Sequence, residues 1–210
     1  MLSERLVAVL LALPLLVLLS VSISYFVTYG RQEKQGSGKH HIGYNKVLLT
    51  LVGVGYFGIW LFWLSGMVLL FVDRYYEVLD WLICSFLMAS SVQIVGLVVL
   101  YAGALFFAWT IGSAGKSLRP STSGVHADHQ LVQDGPLGVV RHPYYVSYVV
   151  MLVGLGLTLA TLGPLLLALL VVIGIGPTAR AEEAHLITLF GDEYRQYQQK
   201  VGRFFPKLFR

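Results

Sequence analysis

Long apolar blocks separated by short polar segments dominate the pattern of the chain. Three of these blocks cover residues 6–28, 47–72 and about 92–111. A helix needs about 20 apolar residues to cross a hydrocarbon core of about 30 Å, and each block is close to that length or exceeds it. The pattern therefore predicts three membrane-spanning helices in the first half of the chain. A stretch over residues 81–91 either extends the third helix or lies at the membrane interface.

Two shorter apolar blocks follow in the second half of the chain. They cover residues 145–161 and 164–177, and only Leu162 and Gly163 separate them. So short a connection is typical of antiparallel neighbours. We therefore expect a tight hairpin of two further spans.

Beyond these blocks the apolar positions become periodic. They recur at every third or fourth residue, at Leu186, Phe190, Tyr194, Tyr197 and Val201. This spacing places them on one face of a helix whose other positions are mostly polar. We expect this helix to lie along the membrane interface.

Composition agrees with this reading of the pattern. Of the 210 residues, 56% are hydrophobic and 12% are charged, and the mean hydropathy is +0.71. The charged fraction is roughly half that of a soluble domain. The sequence thus predicts an all-α integral membrane protein with about five transmembrane helices and a C-terminal interfacial helix. We expect one membrane-embedded domain over residues 1–210, with the N-terminal spans in residues 1–111.

The basic residues indicate the orientation in the membrane. With the N-terminus outside, thirteen of the fifteen Lys and Arg residues fall in the inside segments, and only Arg5 and Arg74 lie outside. Basic residues are retained in short cytoplasmic loops. We therefore predict an outside N-terminus and a cytoplasmic C-terminus. The same distribution explains the net charge of +4 by orientation, and we expect no nucleic-acid partner.

Several patterns that suggest ligand sites have simpler explanations. The letters G-x-G-x-x-G at residues 53–58 stand inside an apolar block, not between a strand and a helix, and so indicate close helix packing. His126, Asp128 and His129 lie close together in a loop, but a metal site needs a fixed scaffold around its ligands. We expect no metal there. Gln93, a polar residue in the third span, predicts a hydrogen bond between helices.

Two polar segments at block boundaries carry more chemistry. Arg141 and His142 precede Pro143, and proline is favoured in the first turn of a helix, whose exposed N–H groups attract anions. Glu182 and Glu183 follow the fifth block, where adjacent carboxylates carry a desolvation cost unless they meet water or cations. Both segments fall on the predicted cytoplasmic side. We expect them to converge on one cavity that faces the cytosol.

Taken in order with their flanks, these segments resemble the membrane methyltransferases of the isoprenylcysteine carboxyl methyltransferase and phospholipid methyltransferase superfamily. The matching motifs are H-Q-L-V at 129–132, D-G-P at 134–136, R-H-P-Y-Y at 141–145, E-E at 182–183, F-G-D-E-Y at 190–194 with Tyr197, and R-F-F-P at 203–206. The resemblance covers residues 112–207, nearly half of the chain. Where the family often has an aromatic residue after the Gly-Pro pair, this sequence has Leu137.

The resemblance implies S-adenosylmethionine as the methyl donor, bound in residues 112–210 on the cytoplasmic side, and a lipophilic methyl acceptor that arrives from the bilayer. By the same resemblance, Glu182, together with Glu183, would pair with the amino group of the cofactor. The other residues implied to line the cofactor site are His129, Gln130, Leu131, Val132, His142, Pro143, Tyr144 and Tyr145.

The acceptor decides which side chains the reaction needs. A carboxylate is ionised at neutral pH, because its pKa is about 4, so it needs a cation to hold it. Arg141 and Arg180 are the candidates. An amine is protonated at neutral pH and needs a general base. This contrast favours carboxyl O-methylation of an isoprenylcysteine-like substrate. N-methylation of a phospholipid amine, S-methylation of a small thiol, a membrane reductase and a transporter component stay open.

Overall fold

The computed structural model describes residues 2–29, 46–114 and 131–207, and in these ranges the chain is helical with short turns. The elements, in chain order, are α1 (Glu4–Tyr29), α2 (Lys46–Phe71), α3 (Tyr75–Val78), 3₁₀ turns at Asp80–Leu82 and Ser85–Met88, α4 (Ser90–Ala114), α5 (Pro136–Val139), α6 (Pro143–Thr158) and α7 (Leu162–Lys200).

Four helices are long and apolar enough to cross a membrane, namely α1, α2, α4 and α7. The apolar helix α6 is shorter, at 16 residues, and its length of about 24 Å falls short of a full hydrocarbon core. The predicted class, an all-α integral membrane protein, is confirmed. The stretch over residues 81–91 does not extend the third span, because it forms the two 3₁₀ turns that precede α4.

Helix α1 contains Pro14, which supplies no backbone N–H and so leaves the Leu10 carbonyl without its usual helical donor. Side chains of neighbouring helices donate to carbonyls of this turn. The hydroxyl of Tyr101 on α4 donates to the Leu10 carbonyl at 2.7 Å, and the indole N–H of Trp63 on α2 donates to the Leu11 carbonyl at 3.1 Å. The proline thus fixes how α1 sits against both helices.

Gln93 forms the predicted hydrogen bonds between helices. Its side chain is fully buried, and its amide donates to the Tyr76 hydroxyl at 3.1 Å and to the Thr158 carbonyl at 3.2 Å. Its side-chain oxygen accepts from the Leu2 N–H at 2.9 Å. One glutamine therefore ties the start of α1, the start of α4 and the end of α6 together at the same end of the bundle.

Glycines let the helices approach closely, as the sequence predicted for residues 53–58. A Cβ on Gly55 would lie 1.9 Å from Val171, and one on Gly58 would lie 2.5 Å from Leu167, both on α7. Gly53 departs from the prediction, because a Cβ there would meet nothing within 4 Å. Between α4 and α6 the two backbones themselves come together, since a Cβ on Gly154 would lie 2.4 Å from the backbone of α4.

The predicted hairpin is formed by α6 and α7, but its turn lies earlier than expected. Leu162 and Gly163 already belong to α7, and the turn is made by residues 159–161, with Ala160 at a φ of 53°. The Ala160 carbonyl accepts from the Cys84 N–H at 3.0 Å, and the Thr161 hydroxyl donates to the Leu82 carbonyl at 3.1 Å. The segment before α4 thus holds the turn in place.

The helix predicted over residues 186–201 overlaps the last part of α7, which a kink divides into two helical segments. The backbone leaves the helical conformation only at Gly191, where φ is 54° and ψ is −124°, and the chain changes direction there. Its apolar face is covered by protein, since Tyr194, Tyr197 and Val201 are buried and Leu131 packs against them. The kink thus turns this face inward, toward the start of α6, where Arg141 donates to the Gln198 carbonyl.

Candidate active site

The structure brings together the two polar segments that the sequence singled out. The Arg141 guanidinium donates from Nε to Oε1 of Glu183 at 2.9 Å, and Nε2 of His142 lies 3.1 Å from the same oxygen. Nδ1 of His142 lies 3.4 Å from Oε2 of Glu182. The predicted meeting of the loop before α6 with the acidic pair on α7 is therefore confirmed. The two segments meet as a packed cluster of ion pairs.

Local sequence explains why the first of these segments ends at α6. Gly135 has a φ of 62°, a conformation that favours glycine, and this allows the chain to enter the short helix α5. Pro143 occupies the first turn of α6, where its missing N–H costs nothing, and His142 is the residue that caps the helix. The imidazole is thereby placed at the boundary between the loop and the apolar helix.

Glu183 is the centre of the cluster. Its side chain is only 3% exposed, and besides Arg141 and His142 it accepts hydrogen bonds from two further residues. Arg203 donates from Nε to Oε1 at 3.0 Å and from Nη2 to Oε2 at 2.5 Å, and the Gln198 amide donates to Oε2 at 3.1 Å. A buried carboxylate is tolerable only with such compensation, because an unpaired one would be strongly destabilising.

Arg141 is committed to protein partners. Its side chain is 8% exposed, and apart from Glu183 it donates to the carbonyl groups of Gln198, at 3.2 Å, and Val201. These carbonyls belong to the last turn of α7, the end of a helix that attracts cations. Arg141 therefore ties the start of α6 to the end of α7. This geometry assigns it a structural position in the cluster, not one that faces an acceptor.

His142 lies between the two carboxylates and is almost fully buried. Its ring stacks on Tyr145 at a centroid distance of 5.7 Å and contacts Phe204 at the same distance. Ionised carboxylates only accept hydrogen bonds, so a ring with a carboxylate oxygen at each nitrogen is most stable as the doubly protonated imidazolium. Burial lowers the pKa of His142, but the hydrogen bonds and charges of Glu182 and Glu183 outweigh it and leave the pKa raised above 6.5.

Glu182 is the more accessible of the two carboxylates. Its side chain is 15% exposed, against 3% for Glu183. The Tyr145 hydroxyl donates to its Oε1 at 2.7 Å, while its Oε2 faces His142. A ligand that approaches the cluster would therefore reach Glu182 before Glu183.

The segment after α7 closes the cluster through its backbone. The Arg141 N–H donates to the Gly202 carbonyl at 2.8 Å, and the His142 N–H donates to the Arg203 carbonyl at 3.1 Å. Val140 and Gly202 form a parallel β-bridge. Gly202 is required at this close approach, because a Cβ there would lie 1.9 Å from the Phe205 carbonyl oxygen. We call residues 201–204 the C-terminal clasp.

The remaining predicted site residues occupy different positions. Tyr144 packs against Phe107 and Tyr148, in the interface of α4 and α6. Leu131 packs on the aromatic face of α7, and Val132 beside it is half-buried. Arg180 is exposed, and it forms no ion pair with any residue in the described ranges. His129 and Gln130, like the predicted loop cluster of His126 and Asp128, lie outside the described residues.

Sequence reasoning missed Arg203 and Gln198. Arg203 stands in the R-F-F-P motif at residues 203–206, so the motif itself was the signal that could have identified it. Leu137 acquires a role through its backbone, because its carbonyl accepts from the Tyr197 hydroxyl at 2.6 Å. Gln198, on the helix that carries Tyr197, had no comparable signal.

Comparisons with known proteins found one matching family model and several similar relatives. A family model described as phospholipid methyltransferase matches residues 91–193. Protein-S-isoprenylcysteine O-methyltransferase of Schizosaccharomyces pombe is 38% identical over 80 residues, which are 38% of this chain and 34% of that protein. Methanethiol S-methyltransferase 1 of Bradyrhizobium diazoefficiens is 43% identical over 67 residues, 32% of this chain and 23% of that protein.

A third relative has a different name. The nickel-cobalt-cadmium resistance protein NccN of Alcaligenes xylosoxydans xylosoxydans is 36% identical over 84 residues, which are 38% of this chain and 37% of that protein. The matches thus span between 23% and 37% of the length of these relatives. The family match contains Arg141, His142, Glu182 and Glu183 but ends before Arg203. Over residues 91–193, just under half of its length, this chain is therefore similar to the phospholipid methyltransferase family, and two of the relatives it resembles are named as methyltransferases.

Proposed function

We propose that this protein transfers a methyl group from S-adenosylmethionine to a lipophilic acceptor, and that the acceptor is the carboxylate of an isoprenylcysteine-like molecule. One observation carries the proposal: the R-H-P motif and the E-E pair, which the family match contains, contact each other directly. Residues 112–210 would hold the cofactor and perform the reaction. Residues 1–111 would provide the membrane-embedded support.

The cluster has the chemistry needed to hold such a cofactor. Glu182 offers a partly exposed carboxylate whose orientation is set by Tyr145 and His142, which suits the ammonium group of an amino-acid moiety. When bound, S-adenosylmethionine supplies an electrophilic methyl group on a sulfonium. Glu182 would bind the amino group, while Glu183 would keep His142 in place. Leu131 and Val132 lie in the segment that would complete the cofactor site, together with His129 and Gln130.

The protonation of His142 bears on the choice of acceptor. An imidazolium held between two carboxylates has no lone pair to accept a proton. An amine acceptor must lose a proton before it can attack, with a pKa of about 10, whereas a carboxylate with a pKa of about 4 is already ionised. The cluster therefore suits an acceptor that arrives as an anion. The lack of a proton acceptor at His142 favours carboxyl O-methylation over the N-methylation of a phospholipid amine.

Two arginines would serve the acceptor in different ways. Arg141 is buried in ion pairs and would act by positioning α6 against α7. Arg180 is exposed one helical turn before Glu183, so it is the cation that could hold the acceptor carboxylate. Its guanidinium offers donors with the geometry that a carboxylate prefers.

The experiment that tests the proposal is a methyl-transfer assay on the full chain in lipid nanodiscs, with S-adenosylmethionine labelled in its methyl group. We expect transfer to a prenylated cysteine with a free carboxylate. We expect none to the matched prenylcysteine amide. Label that appears only in phosphatidylethanolamine would overturn the carboxylate proposal, and binding of a nicotinamide dinucleotide in competition with adenosylmethionine would indicate a reductase.

Variants separate the proposed roles. Glu182→Gln should weaken cofactor binding at least tenfold in calorimetric titration, because residue 182 then lacks the negative charge that pairs with the ammonium group of the cofactor. Arg180→Ala should leave that affinity unchanged and raise the acceptor KM. Arg195→Ala serves as the control, since Arg195 is 60% exposed and pairs only with Asp192 among the described residues. Equal activity in Arg180→Ala and Arg195→Ala would remove Arg180 from acceptor binding.

S-methylation of a small thiol is the second candidate, because one relative is named methanethiol S-methyltransferase 1. The small thiolate fraction of a thiol at neutral pH is intrinsically very nucleophilic, so a thiol too can react without a strong base. Methanethiol in the same assay decides between the two. A thiol acceptor predicts a rate that rises with pH as more of the thiol ionises, whereas a carboxylate acceptor, with a pKa of about 4, predicts no such rise.

A further inference from the structure

We propose that Arg203 is a positioning residue of this site, and that it sets the charge state of His142 by holding both Glu183 and the His142 backbone. Only the expected effect on methyl transfer rests on the function proposed above. Its physical basis is the geometry of the C-terminal clasp. Arg203 lies beyond the residues that the family match covers.

Arg203 contacts both Glu183 and His142, the first through its side chain and the second through its backbone. The Arg203 guanidinium donates to both oxygens of Glu183, a fork that fixes the plane of the carboxylate. The Arg203 carbonyl accepts from the His142 N–H at 3.1 Å. The distance between the His142 ring and Glu183 therefore depends on Arg203 at each end.

Charges of both signs surround His142. Two carboxylates, Glu182 and Glu183, lie at its ring nitrogens and favour the protonated form. The two guanidinium groups on Glu183, from Arg141 and Arg203, are cations that oppose it. The Tyr145 ring on α6 stacks on the imidazole and donates to Glu182. Arg203 is therefore one of two cations that limit how strongly the carboxylates hold the His142 proton.

The side chain of Arg203 is more accessible to solvent than that of Arg141. Arg203 is 31% exposed, whereas Arg141 is 8% exposed and also caps the end of α7. The contribution of Arg203 to the charge balance can therefore be removed without leaving a cavity inside the bundle. Glu183 pulls the pKa of Arg203 above its ordinary value, through their hydrogen bonds and in spite of partial burial, so the guanidinium stays charged.

Without Arg203, Arg141 is the guanidinium that remains on Glu183 among the described residues, and the negative charge of Glu183 then acts more strongly on His142. The pKa of His142 should then rise, and Glu182 should be drawn with the ring away from its orientation toward a ligand. In the proposed reaction this would weaken cofactor binding. A residue that only stabilises the fold would lower activity equally at all pH values.

The test is a titration of His142 by ¹⁵N NMR in nanodiscs, with histidine labelled and the signal identified by its loss in His142→Gln. In Arg203→Gln we expect the pKa of His142 to rise by about one unit, the size of shift that a neighbouring charge produces. Arg203→Lys restores a cation and should bring the pKa back toward that of the unchanged chain. Arg195→Gln removes an exposed arginine of the same helix end and should leave it unchanged.

Two outcomes would overturn the proposal: a His142 pKa in Arg203→Gln that equals that of the unchanged chain, or an equal rise in Arg195→Gln. The titration needs neither methyl donor nor acceptor, so it is independent of whether the proposed methyl transfer occurs. If Arg203→Gln does not fold, hydrogen exchange in Arg203→Lys decides. A lysine cannot form the fork, so the amides of Arg141 and His142 should exchange about tenfold faster, and unchanged exchange would contradict the proposal.

Discussion

At the scale of single residues, the buried charge of Glu183 is compensated by hydrogen bonds and ion pairs, and these fix the positions of its partner side chains. Its partners come from three parts of the chain: Arg141 and His142 precede α6, Gln198 lies at the end of α7, and Arg203 follows α7. The carboxylate is therefore the point at which these segments are held together. Loss of any one partner would therefore change the hydrogen bonds that Glu183 makes with the others.

His142 gives this cluster a pH dependence whose sign can be stated. Its pKa is raised in the folded protein, so its protonated form stabilises the fold fully below about 6.5, the unfolded value. This contribution is lost as the pH rises through the folded pKa. We expect the melting temperature to fall over that range in the unchanged chain. In His142→Gln the same scan should be flatter, and parallel curves would contradict the assignment.

Part of this residue-scale arrangement could be predicted from sequence, and part could not. Charge pairing between Arg141 and the E-E pair could be anticipated, since both stand at apolar block ends on the same predicted side. The commitment of Arg141 to the carbonyls of Gln198 and Val201 could not, because it depends on where α7 turns. Charge complementarity alone also does not tell which carboxylate is buried.

At the scale of elements, the kink in α7 determines whether a cluster forms at all. Hydrophobic periodicity correctly indicated an apolar face over residues 186–201, and the position of this helix along the membrane interface stays a prediction. The structure shows that protein covers the face beyond the kink at Gly191, where Tyr194, Tyr197 and Val201 are buried. Periodicity reports which side of a helix is apolar and carries no information on what covers that side.

The conformation at Gly191 predicts a large effect of a small substitution. Its φ of 54° and ψ of −124° belong to a region that residues with a Cβ rarely adopt, so Gly191→Ala should cost about 1–3 kcal/mol of stability. It should also reduce cofactor binding, because the clasp follows the kink. The measurement is thermal unfolding in detergent together with calorimetric titration.

Gly53, in α2, provides the control. Its backbone carries no positive φ, and a Cβ there would meet nothing within 4 Å. Alanine is the better helix former by about 1 kcal/mol, so Gly53→Ala should be neutral or stabilising. Equal losses from the two substitutions would mean that the kink has no special role.

At the scale of the whole molecule, the two ends of the bundle differ in chemistry. The end that the sequence predicts to be outside carries Arg5 paired with Asp73 at 2.5 Å and Arg74 paired with Glu77 at 2.6 Å. The Glu183 cluster lies at the other end of α6. Both basic residues of the predicted outer face are thus paired with an acid, and the orientation itself stays a prediction.

The orientation can be tested with single cysteines. In a Cys84→Ser background, Ser3→Cys should react with a membrane-impermeant maleimide on intact cells, because we place the N-terminus outside. Gln196→Cys should react only after the membrane is permeabilised. Both positions are exposed, so burial does not affect the comparison. The reverse labelling pattern would place the cluster outside and contradict a cytoplasmic active site.

The C-terminal clasp has a consequence for how the protein is made. Arg203 follows α1, α2, α4, α6 and α7 in the chain, so these helices can insert before Arg203 pairs with Glu183. The final neutralising step is then a folding event in water, at the membrane surface. A chain cut short before the clasp would be inserted yet unassembled at its ion cluster, a state that differs from the finished protein in a way that quality-control proteases recognise.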